Sequence, residues 1–555
     1  MADQKAVTRG KPSVPVRHPR ALTPANLVLS VVVSVFGAVV GIQVLTTLGI
    51  TPSTSLIGAL VAMTLARIPL AVFRHYRSAH VQNLVQTSIS SATFGAANSL
   101  FLPIGIPFVF GLHDMVVPML IGVSCALLWD AWLLYQMYDT PAFAASNPWP
   151  VGIAAAEAIK AGDEGGRRAA ILGGGLATGI LGAWLFALPM SAFGVAMIGG
   201  VGAMVAFGLG LLTIWYVPGL TDWNLSADYV PHGMMIGAGL VALVQVGLLV
   251  RREGRAARSV AHPQDGAAPD DTRGGDAAGG RTPVAADTLG RSLGTGLAGY
   301  LVIALGLSLG TGIVTDMSTP MLIGFVLYAG IAALVHELLV GIASMHSGWF
   351  PAFALALITL LLGILIGFPP EALVVLAGFT AATGPAFADM GYDFKAGHLL
   401  RGQGADPAFE LEGRRQQLIA GMIGFAVAIV VVLASYRMFF DNGQLAPIDA
   451  AYVAAIKAGM SSQTAWHLVL WAIPGALLQI IGGSRRQLGV LFATGLLIVT
   501  AWAGWMIVAG LVVRLIVTRI YGQAAREHLE VFAGGVIAGD ALYAFGNGVL
   551  RATRS

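Results

Sequence analysis

Long apolar runs, separated by short polar or charged segments, recur along the whole chain. Most of these runs approach or exceed the roughly 20 residues that an α-helix needs to cross a bilayer. The pattern therefore predicts an all-α, polytopic transmembrane helical bundle. The apolar runs occupy residues 27–48, 55–73, 115–137, 169–188, 192–216 and 233–250, followed by 293–313, 319–340, 351–368, 370–387, 416–436, 464–481, 487–519 and 530–550.

A polar segment divides these runs into two groups. Residues 251–292 are rich in Arg, Asp, Gly, Ala and Pro and contain almost no large apolar side chain. Because such a composition cannot bury a core, we expect a disordered linker there. The predicted organisation is a cytoplasmic basic tail (1–24), an N-terminal transmembrane half (25–250), a disordered hydrophilic linker (251–292) and a C-terminal transmembrane half (293–555).

The composition excludes several other classes of protein. Hydrophobic residues make up 56% of the 555 residues and charged residues only 11%, whereas soluble proteins average roughly 25% charged residues. A chain with so few charges cannot cover the surface of a soluble enzyme, and it lacks the basic face of a nucleic-acid-binding protein. We therefore expect contact with membrane lipid and none with nucleic acid.

Clusters of Lys and Arg predict which loops face the cytoplasm, because positively charged loops are retained on that side. Three apolar runs lie between Arg168 and Arg251, although both of these basic positions are predicted to be cytoplasmic. Three complete spans cannot satisfy both positions. Either one of the three runs is therefore a re-entrant or broken helix, or one of the two basic positions does not face the cytoplasm.

The pattern is roughly doubled about the linker, which predicts two related halves. Each half contains a segment too polar for lipid, Gln86–Ser99 in the first and Gly341–Pro351 in the second. Each half also contains a charged segment, Asp139–Arg168 and Asp389–Arg415. Paired interrupted segments at matching positions are typical of transporters built from repeats.

The two polar segments are predicted to line a substrate cavity, because hydroxyl groups can satisfy the backbone groups that a broken helix leaves unpaired. The alternative for Gln86–Ser99 is a tight helix crossing through small residues. The candidate substrate-binding residues are Gln86, Thr87, Ser88, Ser91, Gly341, Ser344 and Ser347.

The two charged segments are predicted to form a cytoplasmic gate. Glu157 and Lys160 are spaced to pair along one face of a short helix, and the alternative is a solvated helix with a surface ion pair. Asp389, Asp393 and Lys395 follow a run of small residues. Their alternative role is that of helix-end charges at the membrane interface.

Isolated acids within apolar runs are costly and are therefore candidates for proton coupling. Asp130 lies in LLWDAWLL, Glu337 follows His336 in ALVHELLVG, and Asp540 lies in VIAGDALYAFG. A desolvated carboxylate can take up and release a proton near neutral pH. The alternative for each acid is that a neighbouring helix caps it.

Enzyme and motor motifs are absent from the sequence. Position 340 is Val, so His336-Glu337 does not complete a helical zinc-protease motif. The sequence contains neither a P-loop nor a Cys/His cluster with the spacing of metal ligands. We therefore predict a protein that is not an enzyme and has no cofactor or metal site.

Two blocks, one around the first polar segment and one within the first charged segment, resemble signature blocks of the oligopeptide transporter (OPT) family. This family includes the yellow stripe-like metal–chelate transporters. Gln82–Ala92 is similar to E-N-N-hydrophobic-V-Q-T-x-A-S-A, with Val81 where an acidic residue usually stands. Pro150–Gly165 is similar to F-P-E-G-V-A-C-A-E-V-L-K-A-G-E-E-G, with Val151 in place of the acidic residue and Ala155 in place of Cys.

Two further blocks resemble the same family. Asp389–Gly397 is similar to D-x-M-Q-D-L-K-T-G, and Asp540 stands where the block G-L-I-A-G-E-A-L has Glu. The similarity covers most of residues 25–550 in one order, and the linker is an unmatched insert.

The resemblance implies a secondary transporter, proton-coupled in most characterised members, that carries small peptides, modified amino acids or metal–chelator complexes. We expect import of such a peptide or chelate, with protons, through the cytoplasmic (inner) membrane of a bacterium. Assembly into a homo-oligomer is compatible with the sequence. The alternatives are an uncoupled channel and a membrane-embedded enzyme or assembly subunit.

Overall fold

The computed structural model is described over most of the chain, with short gaps. The described residues are 17–49, 58, 62, 76–140, 142–147, 149–163, 167–261, 286–347, 352–459, 462–498, 500–522 and 525–552. Residues 262–285, the central part of the predicted linker, lie outside this set.

Helices account for nearly all regular structure in the described part of the chain. A π-helical segment, Gly95–Phe101, joins the second and third helices. The helices before the linker are α1 (Pro24–Leu48), α2 (Ala79–Phe94), α3 (Leu102–Phe110), α4 (Val116–Met137), α5 (Pro150–Asp163), α6 (Arg167–Phe186), α7 (Met190–Ile198), α8 (Val201–Thr221) and α9 (Val230–Ala261).

The second half continues the all-helical architecture, and ten segments of the described chain are long and apolar enough to cross a membrane. This confirms the predicted polytopic helical bundle. The helices after the linker are α10 (Ala286–Gly310), α11 (Thr319–Ser347), α12 (Ala352–Ile366), α13 (Pro370–Ala382), α14 (Pro385–Leu400), α15 (Pro407–Asp441), α16 (Asp449–Gly459), α17 (Ser462–Arg486), α18 (Leu488–Leu496), α19 (Ala501–Tyr521) and α20 (Ala525–Ala552).

Helices α7 and α18 are each too short to cross a bilayer. Each has nine residues, which gives a length of about 13 Å, against about 30 Å of hydrocarbon. Each packs within a group of longer helices: α7 on α19 and α20, and α18 on α8 and α9. Helix α7 is thus a short helix between Arg168 and Arg251, where the longer helices α6, α8 and α9 also lie, and a re-entrant or broken span in this interval stays a prediction.

Corresponding helices of the two halves make corresponding contacts, and each of them takes its partner from the other half. Helix α6 packs along α20, and its counterpart α17 packs along α9. Helix α5 packs on α14, and its counterpart α16 packs on α3. The same pentapeptide, Ala-Ile-Lys-Ala-Gly, occurs at 158–162 in α5 and at 455–459 in α16. In each of these pairs, a helix of one half therefore packs against a helix of the other half.

Two interrupted spans cross at the centre of the bundle. The first contains α2, the π segment and α3, and the second contains α13 and α14. Helix α2 lies beside α14, and α3 lies beside α13. The span formed by α13 and α14 is buried along its whole apolar window, so lipid does not contact that part of it.

The second of these spans is interrupted at Thr383-Gly384, outside the predicted segment Gly341–Pro351. Gly384 has φ +93°, a conformation that residues with a Cβ rarely adopt. Pro385 lacks a backbone N–H and starts the next helix. In the predicted segment, helix α11 continues to Ser347, and residues 348–351 lie outside the described residues.

Candidate functional site

A polar seam runs between the two interrupted spans. On α2, Gln86 donates to Asp393 over 2.5 Å and Ser90 donates to Asp389 over 2.7 Å. Asn83 donates to the Gln86 side-chain oxygen over 3.0 Å. All five side chains are buried. The spacing of four residues on both helices places Gln86 and Ser90 opposite Asp393 and Asp389.

A glutamine from α15 extends the polar seam. The Gln417 amide donates to the Asp393 carbonyl oxygen over 2.7 Å and to the Thr87 hydroxyl over 3.3 Å. Its side-chain oxygen accepts a hydrogen bond of 2.7 Å from Arg401. The seam therefore continues from the centre of the bundle to the end of α14.

Ser88 and Ser91 face α15 at a close helix crossing. The Ser88 hydroxyl donates to the Ala420 carbonyl oxygen over 3.1 Å. A methyl group added at Gly424 would collide with the Ser88 carbonyl oxygen, and one added at Gly421 would press on Ser91. These contacts fit the small-residue packing that was the alternative for this segment.

The candidates on α11 lie beside α14. A methyl group at Gly341 would collide with the Phe387 ring. The Ser344 hydroxyl donates to the Val340 carbonyl oxygen over 2.7 Å and interacts with the Tyr392 hydroxyl. The side chain of Ser347 lies outside the described residues.

Two of the isolated acids meet at the break of the second interrupted span. Asp130 on α4 accepts hydrogen bonds from the Tyr300 hydroxyl over 2.5 Å and from the Gly384 backbone N–H over 2.7 Å. Glu337 on α11 faces both Tyr300 and Asp130. Asp130 and Glu337, which we call the carboxyl pair, are completely buried. Neither Glu337 oxygen has a partner with good hydrogen-bond geometry among the described residues.

His336 fixes the surroundings of the same break. Its Nε2 lies 2.9 Å from the Ala352 carbonyl oxygen, and its Nδ1 lies 3.4 Å from the Thr383 hydroxyl. The ring therefore connects the start of α12 to the break before α14.

The third isolated acid, Asp540, caps a short helix elsewhere in the bundle. One Asp540 oxygen accepts from the Ser191 backbone N–H over 2.7 Å and from the Ser191 hydroxyl over 2.6 Å. Ser191 lies in the first turn of α7. A carboxylate satisfies the unpaired N–H groups at a helix start and suits its positive dipole. These contacts fit the capping alternative.

The predicted gate residues fall into two environments. Glu157 and Lys160 form an ion pair of 2.9 Å on the surface, with side chains 61% and 46% exposed. Such a pair adds little stability. Lys395 is buried and donates to the Ala145 carbonyl oxygen over 2.7 Å. Lys395 therefore holds the loop before α5 against α14.

A comparison with known protein families shows to which family the chain belongs. The sequence profile of the OPT oligopeptide transporter protein family matches residues 21–251 and 292–550. The chain belongs to this family. The match confirms the resemblance seen in the sequence blocks, and the unmatched residues between its two parts, 252–291, fall in the predicted linker. The chain is thus a multi-pass membrane protein of a family of transporters. No curated protein gives a significant match to the sequence.

The structure of this OPT protein also contains a buried ion network that the sequence patterns did not indicate. Arg401 donates to both oxygens of Glu410 over 2.8 and 3.0 Å. Arg414 donates to Asp139 over 3.4 Å and to the Tyr138 carbonyl oxygen over 3.3 Å. The network joins the two charged segments at one end of the bundle. Their Arg-rich composition was the available signal, but the pairing depends on contacts distant in sequence.

A second missed group is a neutral cap at the start of α18 in this OPT protein. The Gln479 side-chain oxygen accepts from the backbone N–H groups of Gly489 and Val490 over 3.2 and 3.3 Å. Its amide donates to Gln245 on α9 over 2.9 Å. The symmetry between α7 and α18 is the signal that could have located it.

The described part of this OPT protein offers no group of three or more His, Cys, Asp or Glu residues arranged to hold a metal ion.

Proposed function

We propose that this OPT protein is a proton-coupled secondary transporter that imports small peptides or related solutes, including metal–chelator complexes, across the cytoplasmic membrane. The observation that carries the proposal is the carboxyl pair at the break before α14. Family membership supports transport of oligopeptides in general, and the carboxyl pair supports protons as the coupling ion.

The polar seam is the proposed substrate site. Its amide, hydroxyl and carboxylate groups match the donors, acceptors and terminal ammonium group of a peptide backbone. Gln86, Thr87 and Ser344 remain our candidates from the sequence, and Ser90, Asp389 and Asp393 join them. Because Gln86 and Ser90 on α2 donate to Asp393 and Asp389 on α14, a substrate would replace contacts between the two interrupted spans.

The carboxyl pair is placed to link proton binding to the position of α14. Two unpaired negative charges side by side in a buried site are unfavourable, so the pair is suited to share a proton. A proton on Asp130 would weaken its hydrogen bond from the Gly384 N–H, because a neutral carboxyl is the poorer acceptor. Gly384 precedes α14, which carries Asp389 and Asp393. Protonation and substrate binding would thus act on one helix.

The end of the bundle that carries the ion network is the proposed cytoplasmic gate. Arg77, Arg401 and Arg415 lie at the start of α2, the end of α14 and the start of α15. This basic end is expected to face the cytoplasm. Helix α5 closes over α14 there, and Lys395 of α14 holds the loop before α5.

Uptake into proteoliposomes tests the proposal. The purified protein is reconstituted, and accumulation of radiolabelled trialanine is measured with and without an inward proton gradient. We expect accumulation only with the gradient, and accompanying alkalinisation outside the vesicles. Glu337→Gln should abolish accumulation, whereas the matched variant Glu371→Gln, at the start of α13, should not.

Two results would overturn the proposal. Uptake of equal extent with and without the gradient would indicate a channel or a different coupling ion. Full gradient-driven accumulation in Glu337→Gln would remove the carboxyl pair from the mechanism. A parallel assay with a ferric chelate distinguishes the two substrate classes.

A further inference from the structure

A buried acid that the sequence patterns did not single out lies at the end of the bundle opposite the ion network. Asp449 is the first residue of α16 and is completely buried. Neither of its carboxylate oxygens has a hydrogen-bond partner of good geometry among the described residues, although the backbone of Ala446 lies beside it. An acid in this position is costly unless it is neutral or performs a function.

The carboxyl of Asp449 lies against the first interrupted span. A methyl group at Gly105 would collide with one Asp449 oxygen, so the absence of a side chain at Gly105 creates the space for this acid. Gly105 belongs to α3, which follows the π segment and contains Pro103 and Pro107. Proline cannot donate the helical hydrogen bond, which weakens this part of the span. Asp449 therefore contacts the interrupted span beyond its irregular segment.

The symmetry of the fold assigns α16 the same structural position as α5. Helix α5 closes over α14 of the second interrupted span, where a methyl group at Gly152 would collide with the Tyr392 carbonyl oxygen. Helix α16 closes over α3 of the first interrupted span in the corresponding way. If α5 is a gate at the basic end, α16 is a gate at the other end.

The surroundings of Asp449 contain little that could neutralise a negative charge. Among the described residues, Tyr452, one turn along α16, is the ionisable side chain close enough to interact with the charge of Asp449. Lys457 places its ammonium group 5.9 Å from the centre of the Phe110 ring. Helices α3 and α12 contain no ionisable residue. At this end the other helices packed on α16 contribute His232 from α9, Glu371 from α13 and His467 from α17.

We propose that Asp449 is a proton-binding site that controls a second gate, in which the neutral acid holds α16 on α3 and loss of its proton to water releases α16. The inference rests on the proposed transport function, because a second gate has a purpose only in a transport cycle. Burial raises the pKa of Asp449 well above its ordinary value. An ionised Asp449 gains by leaving the contact and reaching water.

Chemical labelling tests this gate without measuring transport. The native cysteine is removed by Cys125→Ser, and Ala455→Cys is introduced as a reporter, because Ala455 is a buried position of α16. The full-length protein in detergent is treated with a polar maleimide between about pH 5 and pH 9, with rates corrected for thiol ionisation. Labelling should be slow at low pH and severalfold faster at high pH.

Three variants separate the role of Asp449 from general effects. Asp449→Asn keeps the size and remains neutral, so labelling should stay slow at every pH. Gly105→Ala should displace Asp449 and give fast labelling at every pH, whereas Gly306→Ala, where the added methyl meets open space, should behave like the parent. Asp441→Asn removes an exposed acid at the same end and should also behave like the parent.

The outcomes distinguish this inference from the transport proposal. A pH response in Asp449→Asn equal to that of the parent would overturn the gate, as would a response to sodium at fixed pH in place of the response to protons. Asp449→Ser takes the place of Asp449→Asn if the amide variant does not fold. Failure to transport both trialanine and the ferric chelate would refute the proposed function and leave the labelling result unaffected.

Discussion

The two short helices α7 and α18 occupy equivalent positions in the two halves and are capped by different chemistry. At α7 the cap is the carboxylate of Asp540, and at α18 it is the amide oxygen of Gln479, supported by Gln245. Both satisfy backbone N–H groups that would otherwise be unpaired inside a membrane. Since a neutral amide performs the task in one half, the charge of Asp540 is not required for capping.

This comparison also ranks the three isolated acids. Asp540 has a structural task with well-formed hydrogen bonds, and a neutral residue caps α18, the counterpart of α7. Asp130 and Glu337 share one hydroxyl group, and Glu337 has no other good partner among the described residues. The carboxyl pair is therefore the stronger candidate for proton coupling, and Asp540 is the weaker one.

The largest expected effect separates the carboxyl pair from the cap. Asp130→Asn should reduce gradient-driven accumulation of trialanine to the level of empty vesicles, because the amide cannot exchange a proton. Asp540→Asn should retain most of the accumulation, since an amide oxygen can still accept from Ser191. Equal loss of accumulation in both variants, with both correctly folded, would contradict the ranking.

A smaller effect should appear when the carboxylate cap is removed. Asp540→Ala leaves the Ser191 N–H without its acceptor and should lower the free energy of unfolding by about 1–3 kcal/mol. Denaturant unfolding followed by tryptophan fluorescence measures this change. Asp540→Asn serves as the control and should lose less. An unchanged midpoint for Asp540→Ala would show that the carboxylate does not stabilise α7.

The smallest effect is expected at the neutral cap. Gln479→Ala removes the two cap hydrogen bonds of 3.2 and 3.3 Å and the two that its amide donates to Gln245 and Gln487. Because all of these partners are neutral, the expected loss is about 1 kcal/mol. The same unfolding measurement applies, with Gln245→Ala as a partner variant whose effect should be smaller still. A greater loss for Gln479→Ala than for Asp540→Ala would reverse the comparison between the two caps.

The sequence predicts the membrane class and much of the helix pattern because hydropathy depends on local composition. It also singles out the interval between Arg168 and Arg251 as irregular, but the charge pattern alone does not predict that the short helix there is α7. The break at Thr383-Gly384 is harder to predict. A single glycine in the apolar run 370–387 does not distinguish a broken helix from a continuous one until its φ is known.

The site residues show a similar limit. Small polar residues such as Ser88 and Ser91 suit both a cavity and a tight crossing, and only the positions of Gly421 and Gly424 on a distant helix favour the crossing. The position of Asp449 depends on Gly105, which lies more than 300 residues earlier in the sequence. Contacts of this kind follow from tertiary packing and leave no local signal.

The complete burial of the apolar window of α13 and α14 has a consequence for the surrounding lipid. Helices in contact with lipid must match the hydrocarbon thickness or deform the bilayer, at a cost for each ångström of mismatch. The span with the break at Gly384 has its apolar window enclosed by protein, so its rearrangement need not displace lipid there. The outer helices can keep their positions in the bilayer while this span rearranges. Changes in bilayer composition then have little effect on the polar groups of the interior.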